Sequence, residues 1–351
     1  MLKVNDKIAL VVCSNGKNIE DKARLENLED ILVEMGLVPI FTKYIYKDKY
    51  GRAASPQLRA DELMSFYRNN EIKAIFDISG GDIANEILEY LDYDVIKENY
   101  KPFFGYSDLT TVLNALVGKT DKINYLYQIL NIIENEGIRT RFENTFLKKK
   151  NSLFDANWRF LQGIKIEGEV IGGNIRCFLK LAGTEYFPEV ENKMLFIEGL
   201  GTSVEGLLTH LAQLKQLGVF DKISGLLIGT FTKIEKEFSV DEIFEIVKSY
   251  VPSSLPIAKT QEVGHAKDSK ALKLGEKINI SEIIEYVKMP TIYDTDKAVE
   301  EEKPAFVERL VGALEVMIER TRKEREIPAY LLEEIERHSW KKKIETIYKL
   351  L

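Results

Sequence analysis

The sequence predicts an α/β fold: an N-terminal domain on a parallel sheet with helices on both faces, a second domain with strands and helices, and a helical C-terminal extension. Three observations carry this. Short continuous apolar runs, such as Ile-Ala-Leu-Val-Val-Cys over residues 8–13, suit strands covered on both faces. These runs alternate strictly with segments of helical period, the pattern in which crossover helices join parallel strands. The alternation breaks over 140–165, around Lys148-Lys149-Lys150-Asn151-Ser152, and then resumes.

In chain order, the strand at 8–13 leads to a helix over 19–36. Its apolar positions Leu25, Leu28, Ile31, Leu32 and Met35 share a face, and Gly36 stops it. A strand follows over 38–46 and a helix over 57–69. The run 74–78 reads as a buried strand ended by Ser79-Gly80-Gly81, with a helix over 84–91 behind it. Residues 102–106 form a further strand and 109–117 a further helix. The first domain is thus placed at 1–148 and the linker at 149–164. The second domain, 165–290, shows strands at 166–171, 194–197, 223–229 and 276–280, and a strong helix over 204–217. In the extension, 291–351, a helix over 304–326 aligns Phe306, Leu310, Val311, Leu314, Met317 and Ile318 on one face. Residues 328–351 are helical and rich in both signs of charge, with Lys341-Lys342-Lys343 a solvated face. The extension is either a packed appendage or a partner or dimer surface.

Composition excludes several classes. The 351 residues are 45% hydrophobic and 30% charged, too apolar for a disordered chain. Lys and Arg number 49 against 56 Asp and Glu, a net charge of −7, so no basic nucleic-acid footprint is visible. Two cysteines, Cys13 and Cys177, support neither a disulfide framework nor a thiolate zinc site. No apolar run is long enough to cross a membrane, and the first residues lack a signal-peptide pattern. The expectation is a cytoplasmic protein. No P-loop, no dinucleotide fingerprint and no metal-binding motif is present, so neither cofactor nor metal is expected.

Four segments hold candidate chemistry. In Gly105-Tyr106-Ser107-Asp108-Leu109 a serine sits between a strand and a helix, a turn that lifts a hydroxyl above the sheet and aims backbone N–H groups at one point. Ser107 or Asp108 is equally placed to cap the helix. Ser79-Gly80-Gly81-Asp82 suits one half of an oxyanion hole or an ordinary tight turn. Of the three histidines, His210 falls within a helix and His338 in a charged helix, whereas His265 lies in the glycine-flanked loop Val263-Gly264-His265-Ala266-Lys267. Loops carry catalytic groups disproportionately, and imidazole is the usual base near neutral pH. Glu198 ends the apolar strand Met194-Leu195-Phe196-Ile197-Glu198. It is either the carboxylate that orients such a base or a strand end already in solvent.

In this order and spacing, the segments resemble the LD-carboxypeptidase family of serine peptidases, which spans muramoyltetrapeptide carboxypeptidases and microcin C immunity proteins. The resemblance rests on Gly80-Gly81, the run Tyr90-Leu91-Asp92-Tyr93-Asp94-Val95-Ile96, and Lys101-Pro102-Phe103-Phe104-Gly105-Tyr106-Ser107-Asp108-Leu109-Thr110. It continues through Gly172-Gly173-Asn174, Leu181-Ala182-Gly183-Thr184, Leu195-Phe196-Ile197-Glu198 and Gly264-His265, and covers about residues 7–280. Glu198 follows Ser107 by 91 residues and His265 follows Glu198 by 67. The resemblance implies a smaller, mixed α/β C-terminal domain, a cleft between the domains, often a homodimer, and no metal. It also implies a triad of Ser107, Glu198 and His265, with the oxyanion held by the backbone N–H groups of Gly81 and Asp108. Gly80, Asn174, Arg176 and Trp158 lie near the expected cleft. Arg176 is suited to a substrate carboxylate and Trp158 to stacking, though both are equally suited to structural roles. The implied reaction releases a terminal D-amino acid from cytoplasmic murein tetrapeptides, a small peptide substrate. The alternative is immunity-type cleavage of peptidyl nucleotides or acyl-sulfamoyl adenylates, and a third reading is a non-catalytic binding protein. Two departures bear on substrate. The His-Gly-Pro-like segment common in the family is replaced by Lys122-Ile123-Asn124-Tyr125-Leu126-Tyr127-Gln128-Ile129, and the interdomain loop is short.

Overall fold

The computed structural model describes residues 2–150 and 152–281. The expected extension, 291–351, lies outside the described residues, as does His338. In chain order the elements are β1 (Lys7–Val11), α1 (Lys22–Glu34), β2 (Val38–Phe41), α2 (Pro56–Arg68), β3 (Ile72–Asp77), α3 (Tyr93–Glu98), β4 (Phe103–Gly105), α4 (Thr110–Thr120), β5 (Asn124–Leu126), α5 (Asn131–Glu134) and α6 (Glu136–Phe146). Then follow β6 (Arg159–Gln162), β7 (Lys165–Asn174), α7 (Ile175–Leu179), β8 (Met194–Gly199), α8 (Val204–Gln216), β9 (Gly225–Phe231), α9 (Val240–Lys248), β10 (Ile257–Lys259), β11 (Leu272–Leu274) and β12 (Lys277–Ser281).

The chain forms two α/β domains. The N-terminal sheet runs β11-β5-β4-β3-β1-β2 and is parallel except for β11. The C-terminal sheet runs β12-β7-β8-β9-β10-β6. Its four central strands are parallel and both edge strands antiparallel. Alternation along β1 divides the core. Ile8 and Leu10 face Leu28, Ile31 and Leu32 of α1 and Phe142 of α6, while Ala9 and Val11 belong to the cluster of Leu63 and Met64 from α2 and Val112 and Leu116 from α4. The second cluster continues without a break into Val170, Leu195 and Phe196 of the C-terminal sheet.

α4 forms the seam. Its Asn114, fully buried, donates to Gly172 O (2.9 Å) and accepts from Gly172 N (2.8 Å), imitating a neighbouring strand at the point where β7 would otherwise leave both groups unpaired. Thr110 Oγ1 accepts from Asn174 N at 3.0 Å. Gly173 has φ +139°, and a Cβ there would lie 2.5 Å from Thr110 Oγ1, so this approach needs glycine.

Several elements differ from the sequence expectation. The strand expected over 38–46 ends at Phe41. The last rung is Thr42 N to Leu10 O, after which Thr42 Oγ1 and Lys43 N turn to Glu62 of α2. The helix expected over 84–91 is a 3-10 helix, Ala84–Tyr90. Within 140–165, expected to be aperiodic, α6 extends to Phe146, capped by Asn135 and buried through Ile138, Phe142 and Phe146 at intervals of four. Arg159–Gln162, inside the expected linker, forms edge strand β6 against β10. Leu272–Leu274, inside the expected second domain, returns to the first sheet because Asn124–Leu126 offers it a free edge.

Replacing Asn114 with alanine strands two buried backbone groups. The expected outcome in urea unfolding is a loss of about 2–3 kcal/mol; an unchanged midpoint would remove Asn114 from the seam.

Candidate active site

The strand β4 ends at Gly105, Tyr106 is extended, and Ser107 takes φ +56°, a left-handed conformation that costs a non-glycine residue about 1–3 kcal/mol. A 3-10 turn, Ser107–Leu109, then runs into α4. Ser107 is half-buried. The strained turn is pinned through its neighbour. Asp108 is fully buried, and its Oδ2 accepts from Ser14 Oγ (2.6 Å) and from Ala84 N (2.8 Å). Its Oδ1 accepts from Lys180 Nζ (2.6 Å), which reaches across from the C-terminal domain. Asp108 therefore does not cap its own helix.

The second turn, Ser79 to Asp82, is anchored by Asp77 at the end of β3. Its buried carboxylate accepts from Cys13 N (2.7 Å) and Ser79 N (2.6 Å), and Ser79 Oγ accepts from Ser14 N (2.9 Å). Burial still pushes the Asp77 carboxyl above its ordinary range, the donors opposing it. Gly81 has φ +132°, and a Cβ would fall 2.0 Å from Asn15 Oδ1, the atom that accepts Asp82 N at 2.8 Å. No side chain fits there. Lys180 Nζ also donates to Asp82 O (2.9 Å), so one ammonium ties this turn to Asp108. Neither the Gly81 nor the Asp108 amide donates to another group among the described residues.

Glu198 lies near the end of β8, where the pairing with β9 shifts register between Ile197 and Gly199. Such an irregularity re-aims a side chain. Its carboxylate is fully buried, and Oε2 lies 2.6 Å from His265 Nδ1. The His265 ring is 9% exposed, and its Nε2 is buried with no partner. His265 sits on the loop between β10 of one sheet and β11 of the other, and the loop is closed at its base. Lys270 N donates to Glu262 O (2.7 Å), Lys270 Nζ to Glu262 Oε2 (3.0 Å), and Gly264 N to Ser269 Oγ (3.0 Å). Glu262 also accepts Asn157 N (2.6 Å), fastening the preceding linker to this loop.

Thus Glu198 and His265 are brought into contact, while no hydrogen bond joins Ser107 Oγ to His265 Nε2 among the described residues. Resting sites often lack that bond until substrate is present. Tyr106, to which the sequence assigned no role, is buried with its hydroxyl 3.1 Å from His265 Nδ1 and 3.5 Å from Glu198 Oε2. It stands in the recognised segment, but its reach is not readable from the chain. Lys180 and Ser14 were likewise unmarked.

The remaining candidates have structural uses. Asn174 caps α7 through Cys177 N (3.4 Å), Trp158 packs edge-on against Phe196, and Gly80 O accepts Asn15 N (3.3 Å). Arg176 is half exposed and pairs with the carboxylate of exposed Asp82. His210, on α8, is held below the ordinary imidazole range by burial and by the Arg176 charge. Burial, reinforced by Asp108, pushes the Cys177 thiol up to about 12, so it is no nucleophile near neutrality. Among the described residues no group of three or more His, Cys, Asp or Glu is placed to hold a metal, and no helix is long and apolar enough to cross a membrane.

Comparison with known proteins gives consistent matches. Residues 8–128 match the model of the LD-carboxypeptidase N-terminal domain, and residues 167–280 that of the LD-carboxypeptidase C-terminal domain. The microcin C7 self-immunity protein MccF of Escherichia coli is 27% identical over 316 residues, covering 80% of this chain and 91% of that protein. A probable murein peptide carboxypeptidase of Bacillus subtilis is 26% identical over 273 residues, covering 73% and 84%. The solved structure of MccF in complex with aspartyl sulfamoyl adenosine is similar with a TM-score of 0.69 and 25% identity, covering 80% of this chain and 97% of that one.

The Asp108 cluster sets a measurable cost. Asp108→Ala leaves Ala84 N unpaired, takes the short acceptor from Ser14 Oγ and removes the buried counter-ion of Lys180, and should lower the free energy of unfolding by about 3 kcal/mol. A loss of only a few tenths in chemical denaturation would show that the turn is held by other contacts.

Proposed function

Since the chain belongs to the LD-carboxypeptidase family of serine-type carboxypeptidases, we propose that Ser107, Glu198 and His265 are its triad and that it releases a terminal D-amino acid from a murein tetrapeptide. The observation that carries this reading is the 2.6 Å contact between Glu198 Oε2 and His265 Nδ1, which leaves a buried, unpartnered Nε2 as the one ring nitrogen available to a hydroxyl.

In the first half-reaction, Ser107 Oγ attacks the scissile carbonyl carbon and its proton passes to His265 Nε2. Glu198 holds the Nδ1 proton, which fixes the tautomer and stabilises the imidazolium. The amides of Gly81 and Asp108 receive the developing oxyanion; one such donor is typically worth about 3–4 kcal/mol of barrier. Collapse breaks the C–N bond, and the imidazolium returns its proton to the leaving amine. In the second half, His265 takes a proton from water as the water oxygen attacks the acyl-enzyme, and Ser107 leaves with that proton. Arg176 is the cation suited to the carboxylate of the departing residue, because its present partner, Asp82, is exposed and exchangeable.

Release of D-alanine from a disaccharide-free murein tetrapeptide tests the reading. Wild type should release it, and Ser107→Ala and His265→Ala should each fall by roughly 10³-fold or more. Full activity in Ser107→Ala would overturn the triad. Inert tetrapeptide with turnover of aspartyl sulfamoyl adenosine would keep the triad and move the substrate to the class bound by the solved immunity protein.

A further inference from the structure

The Glu198–His265 pair has a third member. Tyr106 is 6% exposed and packs its ring against the imidazole at 4.6 Å between centroids. Burial and the adjacent Glu198 charge push its phenol well above the ordinary range, so the hydroxyl keeps its proton. A buried O–H needs an acceptor, and two atoms are in reach, Nδ1 at 3.1 Å and Glu198 Oε2 at 3.5 Å. The 2.6 Å separation of Nδ1 and Oε2 is a charge-assisted length and requires a proton between them, which the imidazole supplies. The hydroxyl proton is then directed at Oε2.

We infer that Tyr106 is a positioning residue whose hydroxyl proton, offered to the Glu198–His265 pair, limits how strongly that pair holds an imidazolium. The inference rests on the triad reading. On Oε2 the phenol proton draws on the carboxylate's charge and so opposes a positive charge on the ring. Removing it lets the carboxylate hold the imidazolium more firmly. The other charged groups around the ring are already matched. From its own loop, Lys267 pairs with Glu134, and at the loop base Lys270 pairs with Glu262 and Asp155. From β8 the ring meets Glu198, and from the β4 turn it meets Tyr106. Asp108 beside that turn is neutralised by Lys180.

The test is the titration of His265 by NMR in the full chain without substrate. With three histidines, His265→Ala assigns the resonance. Tyr106→Phe keeps the ring and should raise the midpoint by about half to one pH unit, the size expected for one lost hydrogen bond to a charged pair. 3-Fluorotyrosine at position 106, a stronger donor, should lower it. It decides the matter alone if the phenylalanine variant does not fold. An unchanged midpoint in either folded variant, or a fall in Tyr106→Phe, overturns the inference. The acid limb of kcat/KM should move in the same direction as the midpoint. Because the midpoint is read without turnover, failure of the tetrapeptide assay would count against the substrate and not against Tyr106.

Discussion

The buried carboxylate of Asp108 is the constraint on which the candidate site depends. A left-handed serine between a strand and a helix would relax if nothing held it. Its cost is about 1–3 kcal/mol, whereas each hydrogen bond to a buried charge contributes about 1.5–3. Asp108 has three such bonds, from Ser14 after β1, from Ala84 after the glycine turn, and from Lys180 of the other domain. The strained turn is over-determined from three directions. The same three bonds fix the two segments whose amides remain free.

Much of this was legible in the sequence, and the reasons are local. Apolar runs over 8–13 and 74–78 mark buried strands because both faces of the sheet are covered. The pair Gly80-Gly81 marks a turn, where a Cβ at Gly81 would collide with Asn15. What was not legible depends on distant partners. Asn124–Leu126 carries too few residues to show a period, and it is a strand only because β4 and β11 flank it. Arg159–Gln162 looks like linker because it is an edge strand with one partner. Helix α6 was hidden by its polar exposed face, although Ile138, Phe142 and Phe146 recur every four residues. In the site, residue types and order pointed to Ser107, Glu198 and His265, but long polar side chains that cross the fold, Lys180 above all, have no signature in spacing.

The placement of His265 follows a detour of the chain, which leaves the second sheet after β10, adds β11 to the first, and returns to the second only at β12. The loop begins at β10 in one sheet and ends at β11 in the other. Its base is fastened by Lys270 and Glu262, and Glu262 holds the backbone of Asn157. The imidazole is therefore located by both domains and by the linker between them. Glu198 reaches it from a register shift in a strand that is otherwise fully paired. Docking of the domains and assembly of the Glu198–His265 pair are accordingly one event, and α4, with Asn114 against Gly172, is the surface on which it occurs.

The electrostatics of the two cations beside the turns separates structure from recognition. Arg176 stands on α7 and Lys180 just past its end, and both address the Asp82 segment. Lys180 is largely buried, and withdrawing it would strand the fully buried charge of Asp108, a loss of several kcal/mol. Arg176 and Asp82 are exposed on both sides, where an ion pair contributes about 0–1 kcal/mol. A ligand carboxylate that replaces Asp82 therefore gains nearly all of a bidentate guanidinium contact and gives up almost nothing. Of the two cations, the fold commits Lys180 to holding the turns together and leaves Arg176 free to exchange partners. Under the proposed reading, that asymmetry suits Arg176 to a substrate's terminal carboxylate.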